Sequence, residues 1–194
     1  MYPRIKQSID CYICILFLVF FGWLILLLAL AVKLEDGGPV IFKQRRIGKN
    51  RKHFYIYKFR TMKVDTPKDV PTHLLEDPEK YITRVGKFMR KYSLDELPQI
   101  FNILQGKMAI VGPRPALWNQ HDLVKLRDRY NANSVLPGLT GLAQINGRDE
   151  LPIELKAKYD GDYVKKMSFF TDFVIIIRTF FSVLGAKGVK EGKD

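Results

Sequence analysis

Residues 11–32 read CYICILFLVFFGWLILLLALAV, 22 positions without a charge. As an α-helix they would run about 33 Å, enough to cross a hydrocarbon core of about 30 Å. A soluble helix that is apolar on every face must lie deep in a large core, and a chain of 194 residues cannot build one around it. The stretch predicts a membrane-embedded helix, and three readings of it are open. In a cleavable signal peptide, Arg4 and Lys6 would be the basic start and Ala29-Leu30-Ala31 the cleavage site, but the apolar run exceeds the usual length of about 7–15 residues. A spanning anchor is what composition alone favours. A re-entrant helix, entering and leaving one leaflet, agrees with basic residues on both flanks: Arg4 and Lys6 before, Lys33 and the run from Lys43 to Lys63 after. The positive-inside tendency puts the large basic part in the cytoplasm. Cys11 and Cys14, inside this stretch, read as small apolar residues rather than a redox or metal pair.

Outward from the apolar block the chain is basic. Lys+Arg exceed Asp+Glu by 32 to 20, a formal charge of +12. A hydrophobic fraction of 47% excludes a disordered chain. Two cysteines exclude a disulfide framework, and the scattered His53, His73 and His121 argue against structural zinc. Between residues 33 and 63, ten Lys/Arg face two acids, Glu35 and Asp36. Three targets suit this belt: anionic lipid headgroups, worth about 1 kcal/mol per basic residue; nucleic acid, for which no motif is present; and phosphorylated substrates.

Residues 39–43 and 53–60 are β-branched and aromatic, with Gly-Lys-Asn-Arg-Lys between them, and predict a β-hairpin. Residues 64–80 read as a proline-rich loop and 81–92 as a short basic amphipathic stretch. Ser93-Leu-Asp-Glu96 opens a helix whose apolar positions 94, 97, 100, 101 and 104 keep the helical period, with Gly106 as its stop and Pro98 costing one backbone bond. Residues 137–148 (PGLTGLAQINGR) predict turns and close backbone approaches. Residues 152–166 predict a charged helix. Residues 169–184 (FFTDFVIIIRTFFSVL) predict a helix lying in the interface, with Asp172 and Arg178 turned to water.

Three short blocks could carry chemistry. Ser-x-x-Glu at 93–96 is the pattern of a capping box. That pattern is the stronger reading of these four residues alone, but Asp95 as a carboxylate nucleophile on phosphorus is also chemically open, with Glu96 helping to hold Mg²⁺, which favours oxygen ligands and substrate phosphates. In Gly112-Pro-Arg-Pro115, two prolines fix the backbone around one guanidinium, either a rigid exposed loop or a preorganised phosphate fork. In Tyr57-Lys-Phe-Arg-Thr-Met62, strand alternation puts Lys58 and Arg60 on one face, either a solvated basic face or a cationic wall for a diphosphate.

Together, IYKFRTM (56–62), SLDELPQIFNILQGKMAIVGPRP (93–115) and PGLTGLAQINGR (137–148) resemble, in order and spacing, the signature blocks of the bacterial sugar transferase family, the monotopic phosphoglycosyl transferases. The resemblance runs from about residue 4 to about residue 190 and is similar to the minimal form of the family, a catalytic core alone. It implies an α+β, helix-rich chain. Residues 1–35 would be a membrane-embedded re-entrant helix. Residues 36–194 would be a cytoplasmic, membrane-associated catalytic domain with a small β-hairpin, a catalytic helix and interfacial amphipathic helices. The family's helix kinks at a Ser-Pro pair; here Gly22 and Trp23 stand in those positions, where Gly costs a helix about 1 kcal/mol and Pro about 3.

The resemblance also implies transfer of a phospho-sugar from a UDP-sugar to polyprenyl phosphate, usually undecaprenyl phosphate, with release of UMP, on the cytoplasmic face of the bacterial inner membrane and as the first membrane step of surface glycan assembly. By the same resemblance Asp95 would be the nucleophile and a Mg²⁺ contact, and Glu96 would support the metal or a proton transfer. Arg114 would hold phosphate. Lys58, Arg60, Arg90 and Arg148 match positions near the site, and Asp160 an acidic position before the last amphipathic helix. Partners would be the two substrates, membrane lipids and downstream glycosyltransferases, with no nucleic acid. The rival reading is a membrane-anchored basic module without enzymatic activity, which leaves the Asp-Glu and Gly-Pro-Arg-Pro blocks unexplained.

Overall fold

The computed structural model describes residues 2–66, 78–147 and 151–185. Helix α1, Tyr2–Asp36, carries through Gly22 and Trp23 without a break. The Trp23 indole N–H turns back to the Phe20 carbonyl at 3.0 Å. One stripe of α1 is buried: Lys6, Asp10, Cys14, Ile25, Leu28 and Val32, with Phe17 and Leu18 filling the gap in the row. Steps of three, four and seven keep these positions on a single face. The opposite face, including Val19, Phe20, Trp23, Leu26 and Leu30, is exposed along its length. An apolar surface of that extent is not suited to water.

The hairpin forms as expected, with its first strand running on past residue 43 to Ile47. β1 (Ile41–Ile47) pairs antiparallel with β2 (His53–Phe59), from Ile41 opposite Phe59 to Ile47 opposite His53. Asn50 and Arg51 take positive φ of 53° and 61° in the connecting 3₁₀ turn, a conformation asparagine tolerates better than most residues. The far edge of β2 is closed by a side chain. Asn102, fully buried on α4 (Gln99–Leu104), accepts from the Tyr57 N–H at 3.0 Å and donates to the Tyr55 carbonyl at 2.8 Å. α2 (Pro78–Tyr81) and α3 (Arg84–Lys91) follow the hairpin. The main core lies between α1, the hairpin, α3 and α4, around Phe59, Met89, Ile103 and Met108.

The second half adds β3 (Ala109–Val111), β4 (Ala116–Leu117), α5 (His121–Arg129), β5 (Gly138–Thr140), α6 (Leu142–Ile145), α7 (Ile153–Lys166) and α8 (Phe169–Leu184). β4 joins the other side of β1, giving the order β2-β1-β4, and β3 pairs parallel with β5. Within the stretch expected to be turns, Gly138–Thr140 form β5 and Leu142–Ile145 form α6.

α8 is the amphipathic helix expected, but the placement of Asp172 is corrected. Asp172 is buried rather than turned to water. It accepts from Lys6 Nζ at 2.5 Å, from the Tyr2 hydroxyl at 2.6 Å and from the Tyr163 hydroxyl at 2.8 Å. A carboxylate with three donors no longer needs water. Arg178 is exposed, and so is an aromatic face made by Phe169, Phe170, Phe173, Phe180 and Phe181.

Candidate active site

The site is assembled from β2, the turn after α3 and the loop after β3. Lys58 stands on the face of β2 that carries the buried Phe54 and Ile56. Past α3 the chain reverses at Ser93, which takes a left-handed φ of 54°. For a serine this costs about 1 kcal/mol, and it delivers Leu94–Glu96 as a 3₁₀ turn beside Arg90. The long helix expected from Ser93 is thus split. Pro98 falls between the turn and α4 and caps α4, so it forfeits no internal helical bond.

The capping-box reading is overturned. The Ser93 side chain makes no cap bond, and the Glu96 carboxylate points to two cations instead. Lys58 Nζ donates to Glu96 Oε1 at 2.7 Å and Arg114 donates to the same oxygen at 2.9 Å. Arg114 is held there by its loop. The Gly112 N–H donates to the Thr140 carbonyl at 2.8 Å and the Gly138 N–H to the Pro113 carbonyl at 2.9 Å. A Cβ on Gly138 would lie 2.1 Å from the Gly112 nitrogen, so only glycine permits this approach. From the other side, Arg46 donates to the Pro115 carbonyl at 3.0 Å and to Gln44 Oε1 at 2.7 Å.

The two acids of the dyad are shifted in opposite directions. Burial alone would raise the Glu96 pKa, but Arg114 and Lys58, by charge and by hydrogen bond, outweigh it and hold the carboxyl well below the usual range. Asp95 is half-buried. Burial pushes it above its ordinary value, and the neighbouring Glu96 adds to that push, while Lys58, Arg90 and Arg114 only partly offset it. Neighbouring carboxyls whose environments separate their pKa values are suited to different tasks. Arg90, besides facing Asp95 electrostatically, donates from Nε to Thr61 Oγ1 at 2.9 Å.

Not every residue singled out from the sequence joins this cluster. Lys58, Arg90, Asp95, Glu96 and Arg114 come together. Arg60 faces the other way. Its guanidinium forks onto Asp36 at the end of α1 and donates from Nε to the Pro39 carbonyl at 2.5 Å, tying the membrane helix to β2. Asp160 is fully buried against Arg127, 2.7 Å from Nε, and joins α7 to α5. Arg148 lies outside the described residues. Two residues passed over in the sequence belong with the cluster, Thr61 beside Arg90 and Arg46 behind Arg114. Period-two alternation continued along β1 from Phe42 through Gln44 would have placed Arg46 on the face of Lys58. A cleft of about 720 Å³, lined by Glu35, Asp36, Lys63, Thr83 and Arg84 among others, lies elsewhere, and none of the five clustered residues lines it. In it Glu35 accepts from the Arg84 and Val85 N–H groups and so caps α3.

Among known proteins, the chain is 43% identical over 171 residues to a UDP-glucose:undecaprenyl-phosphate glucose-1-phosphate transferase of Xanthomonas campestris pv. campestris, covering 84% of this chain and 35% of that protein. It is 35% identical over 198 residues to a UDP-N-acetylgalactosamine-undecaprenyl-phosphate N-acetylgalactosaminephosphotransferase of Aeromonas hydrophila, covering 98% and 46%. With the uncharacterized sugar transferase EpsL of Bacillus subtilis it shares 40% identity over 187 residues, 96% of this chain and 91% of that one. The chain thus spans less than half the length of the first two. The sequence profile of the bacterial sugar transferase family matches residues 1–186, and this chain is a member of that family.

Proposed function

We propose that the protein is a phosphoglycosyl transferase that moves a sugar phosphate from a UDP-sugar to polyprenyl phosphate and releases UMP. The observation that carries this reading is the convergence of Lys58 and Arg114 beside Asp95, with Arg90 close enough to act on its charge. Relatives whose names specify UDP-sugars and undecaprenyl phosphate support it.

In the first half-reaction an Asp95 carboxylate oxygen attacks the phosphorus bonded to the sugar oxygen. The new acyl-phosphate bond forms as the phosphoanhydride bond to the departing UMP phosphate breaks. Lys58 and Arg114 stabilise the charge that gathers on the phosphoryl oxygens. In the second half-reaction a phosphate oxygen of the lipid attacks the same phosphorus, and Asp95 leaves as a carboxylate. The product is a polyprenyl-diphospho-sugar, and the two substrates use one site in turn.

Asp95 and Glu96 are the residues that would hold Mg²⁺. Among the described residues no group of three or more His, Cys, Asp or Glu side chains forms a metal cluster. One or two carboxylates plus substrate phosphates is the usual manner of Mg²⁺ binding, and the burial that raises Asp95 makes a cation welcome there. When bound, Mg²⁺ would neutralise charge on the diphosphate.

The reading includes a membrane protein with its catalytic domain on the cytoplasmic face and both ends of α1 on that same face, re-entrant in that sense only, since the helix runs unbroken through Gly22 and Trp23 where the family helix would kink. One helix among the described residues is long and apolar enough to cross a membrane. Both of its ends engage the same body: Lys6 pairs with Asp172, and Asp36 pairs with Arg60. A spanning anchor would carry its first residues to the far side of the bilayer, away from α8. The exposed apolar stripes of α1 and α8 suit a body seated in one leaflet, which holds the site at headgroup height for a lipid phosphate.

The test is UMP release from a panel of UDP-sugars by the full chain in detergent with Mg²⁺ and undecaprenyl phosphate. Release with one donor, lost in Asp95→Asn, is expected, and no release from any donor would count against the reading. For topology, single cysteines placed at residue 4 and at residue 37 should both be labelled from the cytoplasm. Labelling of residue 4 from the periplasm would establish a spanning anchor.

A further inference from the structure

Within the charged cluster, two cations are engaged by one internal carboxylate. Lys58 and Arg114 come from separate elements, yet both donate to the single oxygen Oε1 of Glu96, at 2.7 and 2.9 Å. Two cationic donors on one anionic oxygen, at charge-assisted hydrogen-bond distance, is also how such a pair would receive a phosphoryl oxygen. The Glu96 side chain is only 15% exposed, so the contact lies inside the site rather than on a solvated rim. Asp95, its neighbour, accepts no hydrogen bond among the described residues, so the dyad spends its cations on one member.

We propose that Glu96 is an internal anion seated in the position that phosphate takes between Lys58 and Arg114, and that an incoming phosphate takes the seat by exchange with it. The proposal rests on the reading of Lys58 and Arg114 as phosphate ligands given above. Two anionic oxygens cannot share this spot, because like charges in contact in a poorly solvated site repel strongly. Glu96 must therefore turn away as the phosphate enters. A carboxylate turned out beside Asp95 would stand as a second uncompensated charge in a half-buried site, which is costly. Asp95 and Glu96 together would hold a divalent cation that arrives with the phosphate, and its charge would offset that cost. Anion and cation then bind as one coupled event. Phosphate alone must expel Glu96 into an unpaired state, and the cation alone must compete with Lys58 and Arg114 for the carboxylate. The exchange restricts the site to metal-bearing phosphates and keeps the cations ordered until one arrives.

The contrary view, that Glu96 only orients Lys58 and Arg114, predicts the opposite sign when Glu96 is neutralised. The full chain in detergent would be titrated with UMP and, separately, with inorganic phosphate, each with and without Mg²⁺, followed by phosphorus NMR. Without Mg²⁺, Glu96→Gln is expected to bind both anions about tenfold more tightly than the wild type, the equivalent of one competing charge-assisted hydrogen bond. Glu96→Ala, which introduces no amide donor, should do the same, and thermal melts of both variants establish that they are folded. In the wild type Mg²⁺ should tighten UMP about tenfold, and in the variants this gain should largely vanish. Weaker anion binding by the variants, or a wild type indifferent to Mg²⁺, would overturn the exchange. If inorganic phosphate follows the expected pattern while UMP binds none of the proteins, the exchange stands and the nucleotide-sugar reading fails. If UMP binds the wild type and weakens in both variants, the donor reading stands and the exchange fails.

Discussion

Lys6 Nζ lies 2.5 Å from Asp172 Oδ2, joining two residues 166 positions apart in a buried ion pair that fastens the start of the membrane helix to the last helix of the chain. Asp10 stands 3.2 Å from the same ammonium and also accepts the Ile110 N–H at 3.1 Å. The lysine therefore serves two buried carboxylates. Removing it should cost more than removing either acid, because both are left without their cation. Lys6→Met is expected to destabilise the fold by about 3 kcal/mol or more, and Asp172→Asn, which keeps a hydrogen-bonding side chain, by less. Thermal unfolding in detergent checks the order. Equal melting temperatures for Lys6→Met and the wild type would mean that the pair contributes nothing to holding α1.

Asp95→Asn should abolish UMP release and raise stability at neutral pH. The folded pKa of Asp95 is raised, chiefly by burial. Its protonated form therefore favours the fold at pH below the unfolded value, and that contribution is lost as pH rises through the folded value. At neutral pH the wild type bears the cost of a half-buried charge, and asparagine removes it. A gain of about 1 kcal/mol would lift Tm by about 3 °C in a chain of this size. For Glu96 the sign is reversed, because Arg114 and Lys58 lower its folded pKa despite burial. Its contribution is present above the unfolded value and lost as pH falls through the folded one, so Glu96→Gln should lower Tm at neutral pH. Melts of both variants across pH test the pair, and shifts of the same sign would refute the assignment.

In the proposed reaction Asp95 attacks only as the carboxylate, so the acid limb of the rate profile should belong to it. With its pKa raised, kcat/KM should begin to fall at a pH above the ordinary aspartate range. A limb at or below that range would place the kinetically relevant ionisation elsewhere.

Arg114→Lys keeps the charge and loses the planar fork. Loss of one preorganised donor to a transferring phosphoryl group costs about 10²-fold in kcat in comparable sites. A drop of that order with an unchanged melting temperature is expected from steady-state kinetics and a parallel thermal melt. A rise in KM with kcat intact would make Arg114 a ground-state ligand only.

Gly138→Ala tests how the Arg114 loop is held. The added methyl would sit 2.1 Å from the Gly112 nitrogen and 2.4 Å from the Thr140 carbonyl oxygen, so β3 and β5 must separate. The expected outcome is lower stability by about 1–3 kcal/mol together with a loss of activity larger than that of Gly22→Ala. Nothing lies within 4 Å of a methyl built at Gly22.

Much of this molecule is legible in the linear chain because its signals are local. A run of 22 uncharged residues can only be a membrane or core helix, and period-two and helical patterns found the hairpin, α7 and α8. The blocks around Lys58, Asp95 and Arg114 could be singled out, since unusual residue types cluster within a few positions. Tertiary structure alone decided which charges meet. Lys58 and Arg60 are two residues apart, yet one reaches Glu96 and the other Asp36. Asp172 looked destined for water until Lys6, 166 positions away, arrived beside it. Ser93 and Glu96 fit a capping box, but a left-handed serine and two remote cations drew the carboxylate elsewhere. Apolar periodicity is a sum over many residues along one element and survives in sequence. A buried charge is settled by one partner brought from a distant element, and only the folded chain specifies that partner.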